Sequence, residues 1–290
     1  MNRFIEILLN PSSFDWSDPD LPLSSFYYLS LSSIGYVSFV ILATTVSRKY
    51  CRKNHEKEFY ANNGNGWDPW FMNSDLSSVQ FIHNVNLVIS SAIMLGGVVV
   101  ESLKRLDLES QVGSDKSGVS FLICEHDIGT SASGSLYYWS YIYYLSKYYE
   151  LFDTLLQLAR GKPPPHFVLH VYHHALVMFM AWFWVETKQS LQFIGLGFNT
   201  AVHVVMYTYF LQRTITKRVP RWKRFVTLFQ IFQFCTSFFL IFVLFYKVLV
   251  EKQECAGMGA VVGNAIFNLT LLDQFIAVFK KGRKASKKKT

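Results

Sequence analysis

Seven stretches of the sequence, each about 20 residues long and nearly free of charged side chains, constrain the fold more than any other feature. A helix that crosses the hydrocarbon core of a bilayer needs about 20 apolar residues. Apolar residues make up 51% of the 290-residue chain and charged residues only 17%, whereas soluble domains contain about 25% charged residues. The sequence therefore predicts an all-α membrane protein with seven transmembrane helices. These helices are expected at residues 24–46, 81–100, 136–159, 165–185, 191–211, 225–246 and 260–279.

The distribution of Lys and Arg predicts the orientation of these helices. Of the 28 basic residues, 20 lie in one set of loops and in the C-terminal tail. Because cytosolic loops carry an excess of Lys and Arg, we expect a luminal N-terminus and a cytosolic C-terminus. The chain then divides into a luminal segment 1–23, a seven-helix domain 24–279 and a basic cytosolic tail 280–290. The net charge of +8 is thus attributed to membrane topology rather than to nucleic-acid binding.

Two further features bear on the compartment. The chain ends in Lys287-Lys288-Lys289-Thr290, which resembles a dilysine retrieval signal of the endoplasmic reticulum; a basic tail resting on anionic lipid is the alternative. Cys124 and Cys255 fall in loops assigned to the lumen, the oxidising side of the membrane. A disulfide between them and two free thiols both remain open.

Polar and ionisable side chains recur inside the predicted helices, where they are costly and usually functional. Within each helix they are spaced three or four residues apart, so they share one helical face. Measured from the basic flanks, one polar residue or more on each of the third to seventh predicted helices lies at a depth of roughly 9–15 Å, in one layer near the cytosolic side. Examples are Asp153, His173, His203, Gln230 and Asp273. This layer predicts a single buried site that opens to the cytosol, with an apolar pocket beyond it that suits a lipid-like chain. The candidate residues of this buried site are Lys147, Glu150, Asp153, His170, His173, His174, Asn199, His203, Tyr207, Gln230 and Gln233.

The histidines are compatible with two kinds of chemistry. They could bind a transition metal, as in a metal-dependent lipid oxygenase or desaturase. Alternatively, one imidazole attacks a thioester while another acts as a base or stabilises an oxyanion. Some members also have structural interpretations: Gln230 and Gln233 as helix–helix hydrogen bonds, and Lys147 with Glu150 as a structural ion pair. A transporter or receptor is a third class, but the sequence shows no repeat symmetry or broken helices.

Four motifs, in the same order, resemble those of the ELO family of fatty-acid elongases, the very-long-chain 3-oxoacyl-CoA synthases. They are similar to the family's KxxExxDT, HxxHH, NxxxHxxMY and TxxQxxQF motifs. The third motif continues Thr208-Tyr209-Phe210, where the family often has a second Tyr, and the loop 101–134 lacks the family's usual Trp-Arg-Cys pattern; both departures concern subfamily and substrate. The motifs are Lys147-Tyr-Tyr-Glu150-Leu-Phe-Asp153-Thr154, His170-Val-Tyr-His173-His174, Asn199-Thr-Ala-Val-His203-Val-Val-Met206-Tyr207 and Thr227-Leu-Phe-Gln230-Ile-Phe-Gln233-Phe234.

The resemblance implies a condensing enzyme that joins a long-chain acyl-CoA and malonyl-CoA to give 3-oxoacyl-CoA, CO2 and CoA. It implies that helices two to seven form a barrel around an acyl-chain tunnel closed at its luminal end. No metal or other cofactor is expected, since both CoA thioesters are substrates. The expected partners are the lipid bilayer and the ketoacyl reductase, dehydratase and enoyl reductase of the elongation cycle; a homo-oligomer is left open, and nucleic acid is not expected.

The resemblance also suggests a role for each residue. We expect His173 to accept the acyl group, His203 and Asn199 to stabilise the enolate oxygen, and the remaining histidines and carboxylates to tune them. The catalytic set is His170, His173, His174, His203, Asn199, Asp153 and Glu150. The expected substrate contacts are Lys147, Tyr207, Gln230 and Gln233, together with Lys217, Arg218, Arg221, Lys223 and Arg224, whose charge would attract CoA phosphates or serve only to set topology.

Overall fold

The computed structural model describes residues 3–54, 76–111, 120–126, 129–159, 164 and 166–287. In this part of the chain, regular secondary structure is helical apart from one isolated bridge between Asp15 and Ser133. A 3-10 turn at Pro11–Ser13 accompanies the α-helices. These are α1 (Arg3–Leu9), α2 (Phe26–Asn54), α3 (Ser77–Gln111), α4 (Ser120–Ile123), α5 (Ser135–Glu150), α6 (Phe152–Ala159), α7 (Phe167–Glu186), α8 (Gln192–Thr216), α9 (Lys223–Leu249) and α10 (Met258–Lys287).

The predicted all-α membrane class is confirmed, but the count of seven spans is not. Within the described ranges, six helices are long and apolar enough to cross a bilayer: α2, α3, α7, α8, α9 and α10. The third predicted helix, 136–159, is divided at Leu151 into α5 and α6. With 16 residues, α5 is about 24 Å long, shorter than a bilayer core of about 30 Å. The chain is thus a multi-pass membrane protein in which α5 differs from its neighbours.

Several helices extend beyond the charge-free stretches that predicted them. The second predicted helix was expected to end at residue 100, whereas α3 continues to Gln111. Its added turns contain Lys104, which donates to Glu101 at 2.7 Å, and Arg105, which bonds Glu125. A helix can continue past the apolar core because charged side chains at its end pair with one another or reach water. Hydropathy therefore indicates which part of a helix lies in lipid, but it does not indicate where the helix ends.

Six helices close a ring. Around it, α3 packs against α8, α8 against α9, α9 against α10, α10 against α7, α7 against α5, and α5 back against α3. Helix α2 lies outside the ring, against α7 and α6. This arrangement matches the expected barrel of the second to seventh predicted helices. The polar side chains of the predicted layer therefore have to lie inside this ring.

The outer surface of the ring is apolar. On α9, the side chains of Phe232, Phe239 and Phe242 are exposed by 58%, 64% and 71%. An exposed apolar area of this kind marks an interaction surface, and on helices of this length the matching environment is the hydrocarbon of a bilayer. We therefore attribute the exposed apolar side chains to contact with lipid, and we expect the polar side chains to lie inside the ring.

One end of the ring is closed by loops and by the N-terminal segment. Cys124 and Cys255 form a disulfide there, with their Cα atoms 5.0 Å apart. Phe14 is 1% exposed and stacks on Tyr141 of α5 at 5.4 Å between ring centroids. Trp16 Nε1 donates to Glu186 Oε2 at 2.7 Å. We refer to this as the disulfide end, and to the opposite end, which bears the cations 213–224, as the basic end.

Candidate active site

A cavity of about 290 Å³ lies inside the ring toward the basic end, and we call it the polar chamber. Its walls come from α3 and from every other helix of the ring, together with α6. The structure brings together all seven residues predicted to be catalytic and four of the predicted substrate contacts, Tyr207, Gln230, Gln233 and Lys223. The lining includes His170, His173, His174, His203, Asn199, Asp153, Glu150, Tyr207, Gln230 and Gln233.

A second cavity, of about 90 Å³, continues from the polar chamber toward the disulfide end. Most of its lining is apolar, with side chains such as Val177, Leu240 and Leu271, so we call it the apolar pocket. The two cavities share four lining residues: His173, Asn199, Gln233 and Phe234. A group bound at His173 is therefore adjacent to both spaces.

The three histidines of α7 lie on one face, as their spacing predicts, but their surroundings differ. His170 Nε2 lies 2.8 Å from Thr154 Oγ1, and Thr154 in turn bonds the Tyr36 hydroxyl at 2.9 Å. His173 stacks on Phe267 at 6.1 Å between ring centroids. The Nδ1 atoms of His173 and His174 are buried and have no hydrogen-bond partner among the described residues. His170 is thus held by side chains, while His173 is held by stacking.

Glu150 is the centre of a buried charge cluster. Its Oε1 accepts a hydrogen bond from Lys147 Nζ at 2.7 Å and lies 3.4 Å from His203 Nδ1. Lys147 is 1% exposed, and its ammonium group sits 4.1 Å from the centre of the Tyr143 ring. Lys147 was expected to contact substrate, but it lies behind Glu150 and is absent from the chamber lining. The structure instead has the ion pair that was the alternative, which compensates the buried carboxylate.

Asp153 lines the chamber, but its partners are not the histidines of α7. Oδ1 lies 3.1 Å from His83 Nε2, and Oδ2 accepts a hydrogen bond from the Tyr207 hydroxyl at 3.0 Å. His83 is 4% exposed and belongs to α3. No spacing within the sequence linked His83 to the motifs, because the contact exists only where α3 enters the ring. Asp153 therefore orients His83 and Tyr207.

Asn199 has a fixed orientation. Its Oδ1 accepts a hydrogen bond from the Tyr143 hydroxyl at 2.9 Å, and Tyr143 is stacked on Trp184 with the ring planes 7° apart. The amide Nδ2 of Asn199 is therefore the atom left to donate within the two cavities. Tyr143 was also missed from the sequence, since α5 contains many tyrosines and nothing in their spacing distinguishes this one.

The remaining predicted substrate contacts fall into two groups. Gln230 and Gln233 line the chamber, and Gln230 Nε2 is 3.6 Å from the sulfur of Met206. Four cations of the 217–224 segment, Lys217, Arg218, Arg221 and Arg224, are outside the lining. Of these, Lys217 donates to Ser77 Oγ at 2.7 Å. The basic side chains that do line the chamber are Arg213 and Lys223. Lysines and arginines at the basic end are thus of two kinds, those at the chamber and those beyond it, the latter being Lys217, Arg218, Arg221 and Arg224.

Among the residues that the structure describes, no three His, Cys, Asp or Glu side chains form a group suited to a metal ion. The imidazoles of His170 and His203 are instead directed at a hydroxyl and a carboxylate, respectively. The arrangement provides an imidazole between two cavities, an oriented amide donor and compensated carboxylates. Such groups suit acyl transfer with stabilisation of an oxyanion.

Comparison with known proteins gives consistent matches. A family model described as ELO: GNS1/SUR4 family matches residues 21–290. The chain is 32% identical over 275 residues to fatty acid elongase sre1 of Dictyostelium discoideum, covering 93% of this chain and 87% of that protein. It is 30% identical over 223 residues to fatty acid elongase A of the same organism, covering 76% and 68%.

A third Dictyostelium discoideum protein is 39% identical over 159 residues, an alignment that covers 55% of this chain and about half, 50%, of that relative. The family match includes the whole ring, the disulfide and all the residues that line the polar chamber.

Proposed function

Because the chain belongs to the ELO (GNS1/SUR4) family and is therefore an enzyme of fatty-acid elongation, we propose that it catalyses the condensing step. In this step a long-chain acyl-CoA and malonyl-CoA give 3-oxoacyl-CoA, CO2 and CoA, which makes the protein an acyltransferase. The observation that carries the proposal is the position of His173, which lines both the polar chamber and the apolar pocket.

The two cavities divide the substrate by polarity. The acyl chain enters the apolar pocket, where burial of methylene groups is favourable by about 0.8 kcal/mol each. The thioester then lies at His173, and the pantetheine arm extends through the chamber past Gln230 toward the basic end. Arg213 and Lys223 attract the phosphates of CoA, since charge-assisted hydrogen bonds to phosphate are strong.

The first half-reaction is acylation of His173. A nitrogen lone pair of the imidazole attacks the thioester carbonyl carbon, the C–N bond forms and the C–S bond breaks. The ring loses its N–H proton, which ends on the departing CoA thiolate. The fixed position of His170, bonded to Thr154 at 2.8 Å, makes it a neighbour that shapes the site rather than the nucleophile.

The second half-reaction is decarboxylative attack on the acyl-imidazole. Malonyl-CoA loses CO2, and the electron pair of the broken C–C bond forms an enolate whose charge lies on the thioester oxygen. Asn199 Nδ2 donates to this oxygen, and His203, one turn further along α8, also stabilises it. The enolate carbon attacks the acyl carbon, the C–N bond to His173 breaks, and a proton from solvent restores the imidazole.

The carboxylates hold these groups in position. Glu150 lies 3.4 Å from His203 Nδ1, so it fixes the ring and selects the tautomer, as carboxylates do in catalytic triads. Lys147 offsets the charge of Glu150 at 2.7 Å. Asp153, with both oxygens engaged, positions Tyr207, whose ring lies 5.5 Å from that of His203. Catalysis requires no metal or other cofactor in this scheme.

We also propose the endoplasmic reticulum membrane as the location, with the N-terminus in the lumen and the C-terminus in the cytosol. A disulfide at one end and a cluster of cations at the other support this orientation, since disulfides persist on the oxidising side and basic loops stay cytosolic. Residues 288–290 of the dilysine-type signal lie outside the described ranges. The product would pass to a ketoacyl reductase, a dehydratase and an enoyl reductase.

Intact-mass spectrometry tests the proposal. Purified full-length protein is incubated with a long-chain acyl-CoA in the absence of malonyl-CoA, and the site of any added acyl group is mapped after digestion. We expect one acyl group on His173. Absence of the mass shift, with CO2 still released when malonyl-CoA is added, would show direct attack without an acyl-enzyme. Absence of both, together with stoichiometric iron in the protein, would favour the metal-dependent oxygenase class.

A further inference from the structure

One side chain of α2 contacts the histidine site, although α2 is not part of the ring. Tyr36 is 8% exposed, and its hydroxyl oxygen lies 2.9 Å from Thr154 Oγ1 of α6. Its ring also packs edge to face against the imidazole of His174, with 6.5 Å between the centroids. Thr154 Oγ1 in turn lies 2.8 Å from His170 Nε2. A chain of hydrogen bonds therefore connects α2, through α6, to a histidine of α7 that lines the polar chamber.

Thr154 uses its hydroxyl differently from the threonines of α8. Thr200 and Thr208 each donate to the carbonyl oxygen four residues back, at 2.8 and 2.7 Å. Bonds of this kind satisfy a hydroxyl without any partner on another helix. Among the described residues, the hydroxyl of Thr154 instead has two side-chain partners, Tyr36 and His170. It carries a single proton, so it can donate to only one of them.

The burial of Tyr36 decides in which direction these hydrogen bonds run. Within the described part of the chain, Thr154 Oγ1 is the only hydrogen-bond partner of the Tyr36 hydroxyl. A buried O–H group without an acceptor is costly, so Tyr36 donates to Thr154. The proton of Thr154 is then directed at His170 Nε2, which accepts it. A neutral imidazole that accepts at one nitrogen carries its proton on the other, and His170 is therefore protonated on Nδ1.

The position of His170 indicates what its Nδ1–H group can bind. Because Nε2 is bonded to Thr154, Nδ1 is the ring atom left for a ligand in the chamber. Helix α7 runs from the basic end to the disulfide end, where its last residue, Glu186, bonds Trp16. His170 precedes His173 by three residues, which is about 4.5 Å along the helix axis. Since CoA extends toward the basic end, the thioester sulfur lies on the His170 side of the acyl carbon.

We propose that Tyr36 is a positioning residue, which acts through Thr154 to hold His170 as an N–H donor to the sulfur of acyl-CoA. The inference rests on the proposed condensing function. Negative charge develops on the sulfur as the C–S bond breaks, and a donor already aimed at that atom stabilises the charge without reorganisation. His170 keeps its proton in this step, and the proton that His173 releases still ends on the departing thiolate. Tyr36 therefore assists the first half-reaction and not the later attack by the enolate.

The tautomer of His170 provides the first test, and this test needs no substrate. Full-length protein with isotope-labelled histidine is studied in lipid nanodiscs by solid-state NMR, at a pH where histidine is neutral. The signals of His170 are assigned by their loss in His170→Gln. We expect protonation on Nδ1 in the wild type. In Tyr36→Phe the oxygen of Thr154 loses its donor and is free to accept, so both tautomers should appear. Protonation on Nε2 in the wild type, or a single unchanged tautomer in Tyr36→Phe, would overturn the inference.

Single-turnover kinetics connect the tautomer to one half-reaction. Acyl transfer from acyl-CoA to the enzyme, without malonyl-CoA, should be about three- to tenfold slower in Tyr36→Phe, the usual contribution of one hydrogen bond. Release of CO2 from malonyl-CoA by enzyme acylated beforehand should change by less than about twofold. Ser33→Ala is the matched control and should keep the wild-type rate of acylation. Ser33 is buried one turn before Tyr36 and donates to the carbonyl oxygen of Ala175 at 3.2 Å, so its loss weakens only the contact between α2 and α7.

A double-mutant cycle shows whether Tyr36 acts through Thr154. Thr154→Val should slow acylation at least as much as Tyr36→Phe, and the double variant should be no slower than Thr154→Val, because residues in one network are not additive. Thr154→Ser keeps the hydroxyl and should stay close to the wild-type rate. Additive losses, or equal slowing of both half-reactions, would overturn the inference. Failure of the wild type to accept an acyl group would instead overturn the proposed acyl-enzyme, and the tautomer of His170 would still show whether Tyr36 positions it.

Discussion

The disulfide end and the basic end of the ring differ in the kind of polar groups that they bury. At the disulfide end, several polar groups are paired with other protein groups: Arg105 bonds both oxygens of Glu125 at 2.8 and 3.0 Å, and Ser190 Oγ donates to the carbonyl oxygen of Ala256 at 2.9 Å. Unpartnered buried atoms at this end, within the described ranges, belong to neutral amides, Gln192 Nε2 and Gln253 Oε1. In the polar chamber toward the basic end, the Nδ1 atoms of His173 and His174 have no partner among the described residues.

Because of this difference, we assign mainly a stabilising role to the disulfide end and a catalytic role to the polar chamber. Paired groups at the disulfide end stabilise the fold, because each buried hydrogen bond contributes about 1 kcal/mol and an unpaired group costs more. The chamber gives up part of this stabilisation so that its groups are free to bind a substrate. We therefore expect substitutions near the basic end to change the reaction, and those at the disulfide end to change the free energy of unfolding.

The largest effect is expected at His173. His173→Ala removes the proposed nucleophile, so condensation should fall by at least about 10³-fold while the thermal midpoint changes little. His126→Ala, at the disulfide end, is the control and should retain activity. CO2 release from malonyl-CoA in the presence of acyl-CoA is the measurement. Turnover within tenfold of the wild type would eliminate His173 as the acyl acceptor.

Asn199→Ala should have the next largest effect. It removes the oriented amide donor, and loss of one oxyanion donor typically costs about 10²–10³-fold in kcat. Decarboxylation should slow more than acylation of the enzyme, and Tyr143→Phe should show the same pattern to a smaller extent, since it only frees the amide to rotate. Single-turnover measurements separate the two half-reactions. An equal loss in both would indicate that Asn199 is structural.

Removal of the disulfide should act on stability instead. Cys124 and Cys255 are 131 residues apart, and bridges that close long loops stabilise proteins by about 2–4 kcal/mol. The double variant Cys124→Ser/Cys255→Ser should unfold at lower temperature yet keep kcat at temperatures where it is folded. Thermal unfolding with and without reductant measures this, with Cys235→Ser as the control. A large loss of kcat in folded protein would contradict the division between the two ends.

His83, which contacts Asp153 from outside the chamber lining, provides a finer test. His83→Leu removes the partner of Asp153 Oδ1, and loss of a hydrogen bond to a charged group costs about 1.5–3 kcal/mol. We expect kcat to fall by about tenfold with KM for acyl-CoA nearly unchanged. His83→Gln, which keeps an N–H donor, should restore much of the rate. If Leu and Gln behave alike, His83 contributes only packing.

The smallest effect is expected from the cations. The double variant Arg213→Glu/Lys223→Glu should raise KM for both CoA substrates by about fivefold, because exposed charges contribute up to about 1 kcal/mol each. The matched pair Arg221→Glu/Arg224→Glu, outside the chamber lining, should raise it less. Steady-state kinetics at two salt concentrations measure both. Equal effects of the two pairs would mean that the total positive charge of the basic end, rather than the two cations that line the chamber, attracts CoA.

Some of the site followed directly from local sequence. The faces of α7 and α8 were predictable because residues three or four apart lie together on any helix; His170, His173 and His174 needed no tertiary information to be grouped. The shared depth of these residues and Asp153 followed from the rise per residue and the basic flanks. Spacing alone did not distinguish His170 from His173, and the choice of His173 as acyl acceptor followed the family resemblance. The structural difference between them lies in their contacts with Thr154 and Phe267, respectively.

By itself, the sequence determined that this chain is an α-helical membrane protein of the ELO family with one polar layer, because hydropathy and helical spacing are properties of contiguous segments. Only the tertiary structure decided which helices are neighbours. That order placed His83 on Asp153 and Tyr143 on Asn199. These contacts join residues on different helices, and no periodicity along one helix contains information about the face of another.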